Sequence, residues 1–176
     1  MEFKEFPKMA RWSREIIITE KLDGTNASIF IGEDGEFLTG SRTRWITPED
    51  DNFGFSKWAH ENKEELLKLG AGTHFGEWWG LGIQRNYGLK EKRFSLFNAH
   101  RWANDRPECC GVVPVIYSGI NYAGAVDDAM AKLVKNGSFA AEGFMNPEGI
   151  VLFHVAAQTG FKKTVHKDEQ PKSLAR

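Results

Sequence analysis

Two runs of β-branched and apolar residues, Ile16-Ile17-Ile18 and Ala27-Ser28-Ile29-Phe30-Ile31, flank a short polar stretch, Glu20-Lys21-Leu22-Asp23-Gly24-Thr25-Asn26. Such runs bounded by turn residues read as strands. Lys21 therefore lies near the end of a strand, with Asp23-Gly24 as the turn that follows. Ile17, Thr19 and Lys21 alternate with Ile16 and Ile18, so the lysine shares a face with a short polar neighbour. Its Cα is held and its amine is aimed. That suits a nucleophile better than a solubilising charge, although a plain hairpin with a surface lysine has the same local pattern.

The rest of the chain continues this alternation of strand and turn. Asp34-Gly35 within Glu33–Glu36 predicts a tight turn, with Phe37-Leu38-Thr39 returning. Trp58, Leu66 and Leu69 fit a helical period closed by Gly70. Residues 73–79 read as a strand ending at Gly80. Residues 94–98 form another strand, residues 100–111 a loop, and residues 112–116 a strand weakened by Pro114. Ala125, Val126, Ala129, Met130, Leu133 and Val134 predict a helix stopped by Gly137. Residues 150–155 and 160–165 are the last two strands. Strands mixed with a few helices predict an α+β fold with largely antiparallel sheets. The 176 residues suit one domain, with residues 168–176 as a loose polar tail.

Composition narrows the function classes. The chain is 41% hydrophobic and 27% charged, with net charge −1, which is ordinary for a soluble globular protein. A protein that grips nucleic acid by phosphate contacts alone is usually more basic, so any such binding must be local, brief or assisted. Cys109 and Cys110 are adjacent and lack zinc-ligand spacing, which reads as reduced thiols in a cytoplasmic protein, or a host cytoplasm if the source is viral. No long apolar run predicts a membrane span, and the start lacks a signal-peptide pattern. The expectation is a monomer.

Five chemical stretches follow one another in a fixed order. They are Lys21-Leu22-Asp23-Gly24 with Asn26, Ser41-Arg42, Phe75-Gly76-Glu77-Trp78, Phe94–Asn98, and Glu148-Gly149-Ile150-Val151 leading to Phe161-Lys162-Lys163. Together they resemble the covalent nucleotidyltransferase superfamily of polynucleotide ligases and RNA-capping enzymes, closest to the adenylyltransferase domain of the phage-type RNA ligase 2 group. The resemblance spans residues 16–163. It implies two mainly antiparallel sheets flanked by helices, an ATP-grasp-like domain of the ligase type, with the nucleotide between the sheets.

The resemblance also implies a chemistry and a set of roles. Lys21 attacks the α-phosphorus of ATP and expels pyrophosphate, the adenylate passes to a 5′-phosphate end, and a 3′-hydroxyl displaces AMP. A free lysine has a pKa of about 10.4, so its amine must be deprotonated by its surroundings. Glu20 is expected at the adenine edge, Asn26 beside the nucleophile, and Arg42 on phosphate through its planar fork of donors. Glu77 would accept from the ribose hydroxyls and Phe97 would stack on the base. Glu148, preferred over Glu142, would place Mg2+ or Mn2+. Relatives carry two lysines one residue apart, whereas Lys162 and Lys163 are adjacent here, so strand alternation lets only one reach the pocket. Lys162 is favoured by its position after Phe161, and both stay in the candidate set.

The short stretch before Lys21 leaves no room for an upstream nicotinamide-binding module, which favours ATP over NAD, with GTP still open. Little chain follows the lysine pair, so no appended OB or helical domain is expected. The partners implied are ATP and nucleic acid ends, RNA preferred and DNA allowed. The basic segment of Arg85, Lys90, Lys92, Arg93 and Arg101 is the predicted substrate-facing patch. The competing readings are a DNA nick ligase and a non-catalytic module that kept the fold.

Overall fold

The computed structural model describes residues 1–170. Ten strands form two sheets. In chain order they are β1 (Glu15–Lys21), β2 (Thr25–Ile31), β3 (Phe37–Gly40), β4 (Trp45–Ile46), β5 (Gly72–Gly80), β6 (Lys92–Leu96), β7 (Cys110–Val112), β8 (Val115–Ile120), β9 (Gly149–His154) and β10 (Thr159–Thr164). The first sheet runs β10-β9-β1-β8 and the second β4-β3-β2-β5-β6-β7. All pairings are antiparallel except β6 with β7. The fold is α+β with two mainly antiparallel sheets, as the alternation of apolar runs and turns predicts.

The sequence does not reveal that the chain changes sheet between β1 and β2. These strands are not a hairpin. Residues 22–24 carry the backbone from the first sheet to the second, and Val113-Pro114 carries it back between β7 and β8. The crossings lie side by side, since the Glu20 N–H donates to the Pro114 carbonyl at 2.9 Å. The expected strand over 112–116 is thus two strands in different sheets, with proline at the break because it has no N–H to give a ladder. The true hairpin is β2–β3, whose turn has Gly35 at φ 85°.

Each sheet buries one face. Ile16, Ile18, Ile150 and Leu152 of the first sheet pack beneath Ala125, Ala129 and Leu133 of helix α4 (Ala125–Asn136). α4 stops at Gly137, whose N–H donates to the Leu133 carbonyl. Ala27, Ile29, Ile31, Trp78, Phe94 and Leu96 of the second sheet pack under Phe55 and Ala59 of α1 (Phe55–Glu61) and Leu66 of α2 (Lys63–Leu66). The single helix expected here is two, followed by a 3₁₀ turn over Leu67–Leu69. Asn62 breaks it by donating its side-chain amide to the Trp58 carbonyl. The expected loop over 100–111 also holds the end of a one-turn helix, α3 (Ala99–Trp102), and the start of β7.

A third cluster, Leu22, Trp79, Tyr87, Ala99, Val113 and Ala141, fills the corner where the two crossings meet. Residues 1–14 form no helix or strand and are exposed. Of the expected tail, Asp168–Gln170 form a turn, and residues 171–176 lie outside the described residues.

Candidate active site

Lys21 is the last residue of β1 and stands opposite Gly149, the first of β9. That register brings the residue before Gly149 to the lysine, and Lys21 Nζ donates to Glu148 Oε2 at 2.5 Å. The Lys21 side chain is 22% exposed and that of Glu148 6%, so the pair sits at the floor of an open face. Glu142, the alternative acid, is exposed in a turn. Gly149 has no room for a side chain, since a Cβ there would lie 2.1 Å from the Lys163 carbonyl oxygen.

Past the lysine the chain is held residue by residue. Leu22 enters the corner cluster. The Asp23 carboxylate pairs with Arg85, and its N–H donates to the Tyr87 hydroxyl at 2.8 Å. Gly24 lies so close to β5 that a Cβ would fall 2.3 Å from the Trp78 carbonyl oxygen. This approach lets the Gly24 N–H donate to Glu77 Oε1 at 3.0 Å, while Asn26 donates to Oε2 at 3.3 Å. Burial pushes the Glu77 carboxyl up to about 7. The Lys21 ammonium and the Gly24 N–H pull it down, and the Glu148 and Asp23 carboxylates push it further up.

Glu20 alternates to the opposite face of β1. Its Oε2 accepts from the Phe139 and Ala140 N–H groups at 2.8 and 3.1 Å, and its Oε1 is buried with no hydrogen-bond partner among the described residues. Burial raises its carboxyl above the usual range, against hydrogen bonds from Ser138, Phe139 and Ala140. The side chain expected at a base edge therefore faces the 138–140 loop instead of the face that carries Lys21.

Phe97 follows β6 and donates its N–H to the Phe75 carbonyl at 3.0 Å, which sets the two residues side by side. Phe75 and Glu77 share a face of β5, two residues apart. Phe97 is 41% exposed, available to a ligand. Arg42 is exposed in the β3–β4 turn and makes no hydrogen bond or ion pair among the described residues.

The register separates the two lysines. Lys162 faces Val151, which faces Thr19, so Lys162 projects on the same side as Lys21. Lys163 faces Ile150 on the α4 side and pairs with Asp127 at 3.3 Å. Of the two, Lys162 joins the face that carries Lys21.

Of the predicted basic patch, Arg85 is half-buried, and Lys90, Lys92, Arg93 and Arg101 are exposed. Arg85 turns inward to Asp23, Lys92 donates to the Phe53 carbonyl, Arg93 pairs with Glu91, and Arg101 lies over the Trp102 ring. Two residues that matter to the site were missed as such. Tyr87 sits between Trp79 and Phe144, with ring centroids at 4.9 and 4.7 Å, and Arg85 was read as a substrate contact. What sets them apart is the backbone of their loop, where Gln84, Asn86 and Tyr87 all have positive φ. That strain is invisible in a sequence.

No group of three or more His, Cys, Asp or Glu side chains among the described residues forms a metal cage. A single carboxylate, Glu148, fits the way magnesium is commonly held, by one or two carboxylates with substrate phosphates and water completing the shell.

The model of the RNA ligase family matches residues 14–167. The chain belongs to the RNA ligase family. Solved structures of RNA ligases from Naegleria gruberi share its fold. One mutant with ATP and Mn has 20% identity and TM-score 0.66 over 88% of this chain and 51% of that one. Another with AMP and Mn has 21% identity and TM-score 0.64 over 87% and 50%. An apo mutant has 21% identity and TM-score 0.65 over 86% and 50%. The chain spans about half the length of these relatives. No curated protein sequence matches it.

Two outcomes follow from this geometry. Tyr87→Phe leaves the buried Asp23 N–H without its acceptor, so urea unfolding will show a loss of about 1–3 kcal/mol. Glu77 binds its proton more tightly folded than unfolded, so its contribution to stability is complete below pH 4.5 and disappears as pH rises through about 7. The wild type will lose on the order of 3 kcal/mol relative to Glu77→Gln across that window, read from urea midpoints at each pH.

Proposed function

We propose that this chain is the adenylyltransferase unit of an ATP-dependent RNA ligase. The observation that carries the reading is the convergence of Lys21, Glu148 and Glu77 around the crossing at residues 22–24, with Lys162 and Phe97 on the two adjoining faces. Family membership supports it, as do the relatives of the same fold that were solved with ATP or AMP and Mn.

In this reading Lys21 Nζ bonds to the α-phosphorus of ATP while the bond from that phosphorus to the pyrophosphate oxygen breaks. The amine must lose a proton first, and Glu148 is the carboxylate in contact with it. Lys162, projecting on the same side, offsets the charge that builds on the phosphate. Phe97 offers a flat apolar surface to the adenine. Glu77 and Asn26 stand where ribose hydroxyls would exchange hydrogen bonds with them. Glu20 accepts from the Phe139 and Ala140 N–H groups and so holds the 138–140 loop against the end of β1.

A divalent ion held by Glu148 and the phosphates would supply further charge neutralisation and favour the neutral amine. The adenylate then moves from nitrogen to the oxygen of a terminal 5′-phosphate. A 3′-hydroxyl attacks that phosphate, forming the phosphodiester and releasing AMP. RNA ends are the proposed substrate, with sealing of DNA ends as the alternative outcome of the same assay.

The experiment is self-labelling with α-labelled ATP and magnesium, followed by denaturation and then by transfer to nicked RNA or DNA duplexes. The wild type will retain label and Lys21→Ala will not. An unlabelled wild type would leave only a non-catalytic module. The lysine pair is tested in the same assay. Lys162→Ala will slow labelling by about a hundredfold, the cost of a lost transition-state contact. Lys163→Ala will stay within about twofold, because its exposed pair with Asp127 is worth little.

A further inference from the structure

The open face of the second sheet carries a row of exposed rings beyond the proposed nucleotide contacts. Phe97 lies beside Phe75, Phe75 faces Ser28, Ser28 faces Gly40, and Gly40 faces Trp45. Directly opposed residues project on the same side of a sheet, so these five form one rung across β6, β5, β2, β3 and β4. The rings are at the ends of the row and the floor between them is small. Phe75 is 60% exposed and Trp45 56%. Three strand spacings separate these two, about 14 Å between backbones.

The Trp45 ring leans back over Gly40, where a Cβ would meet its Cε3 at 3.3 Å and the Ser28 hydroxyl at 2.5 Å. Any larger residue at 40 would fill the floor. Phe30 meets the Trp45 ring edge-on at 6.3 Å and props it. The row is therefore a shallow trough, walled by an indole and a phenyl over the buried Ser28 and Gly40, and continuous at one end with Phe97.

Large exposed rings on a sheet are costly unless something flat covers them. Nucleic acid bases are flat, and sheet-borne aromatic rings stack single-stranded bases without needing a strongly basic surface. A cation stands beside the trough, with the acids Glu49, Asp50 and Asp51 in the loop after β4. Arg42 is exposed in the turn just before Trp45. Two nearby acids are already occupied. Asp50 is paired with Arg44, and Asp51 accepts from the Ser56 and Lys57 N–H groups.

We propose that the trough between Phe75 and Trp45 seats unpaired terminal bases of the RNA strand, with Arg42 on the adjoining phosphate. This rests on the RNA ligase reading and moves the substrate surface from the 85–101 segment to the β3–β4 edge.

The test is binding without ATP. A fluorescein-labelled single-stranded oligoribonucleotide is titrated with the full chain at low salt, and anisotropy is read. Trp45→Leu and Phe75→Leu keep apolar bulk but remove the flat ring, and each will weaken binding about tenfold or more. Trp12→Leu, which removes an exposed indole from the segment before β1, will bind as the wild type does. Circular dichroism confirms that each variant is folded. Equal affinity in both trough variants overturns the proposal, as does a wild type that binds no RNA. A wild-type dimer that Trp45→Leu dissociates would overturn it as well, by showing that a second copy covers the rings. Self-labelling with ATP is read separately, so its failure would fall on the nucleotide site and not on the trough.

Discussion

The site depends on a backbone segment that has no room for a side chain. At Gly24 the chain passes over β5 so closely that a Cβ would overlap the Trp78 carbonyl oxygen. That approach places the Gly24 N–H on Glu77 and ties the second sheet to the end of β1. Each neighbour is then committed. Glu20 is anchored to the 138–140 loop, Leu22 is in the corner cluster, and Asp23 is on Arg85 and Tyr87. Lys21 is left as the one residue of the five whose side chain opens to the face between the sheets. A side chain aimed this way loses little freedom on meeting a ligand, because folding has already removed it.

Charge balance in the site follows from the same packing. Three carboxylates lie near the lysine, and two have a cation in contact, Glu148 with Lys21 and Asp23 with Arg85. Glu77 has only an N–H and an amide, and it is the acid whose proton affinity burial raises most clearly. Arg85 is thus a structural counter-ion. Without it the buried Asp23 carboxylate would lose the cation it contacts, and a buried charge stripped of its counter-ion is costly. Its neighbours on the same loop accept positive φ at Gln84, Asn86 and Tyr87 to bring both Arg85 and Tyr87 inward.

Much of this was legible in the residues. The alternation around Lys21 correctly put it at a strand end with Thr19 on its face. Gly137 ends its helix as read, and the Glu33–Glu36 turn closes a real hairpin. What the pattern does not give is the sheet to which β1 belongs. Periodicity shows that a segment is a strand but not which sheet receives it, so the change of sheet at 22–24 looked like an ordinary turn. Arg85 leaves the basic segment for a related reason, since composition counts cations and is blind to which of them finds an acceptor inside the fold.

The lysine pair marks the boundary. Alternation alone dictates that Lys162 and Lys163 point to opposite sides, because successive Cβ atoms in a strand must. Which of them faces Lys21 depends on the register of β10 on β9 and of β9 on β1, and the same register brings Glu148 across 127 residues to the amine. Local sterics write the first into any strand of this sequence. The second is set by how three separate segments slide to bury Ile18, Ile150 and Leu152 beneath α4, a choice made only when the whole core closes.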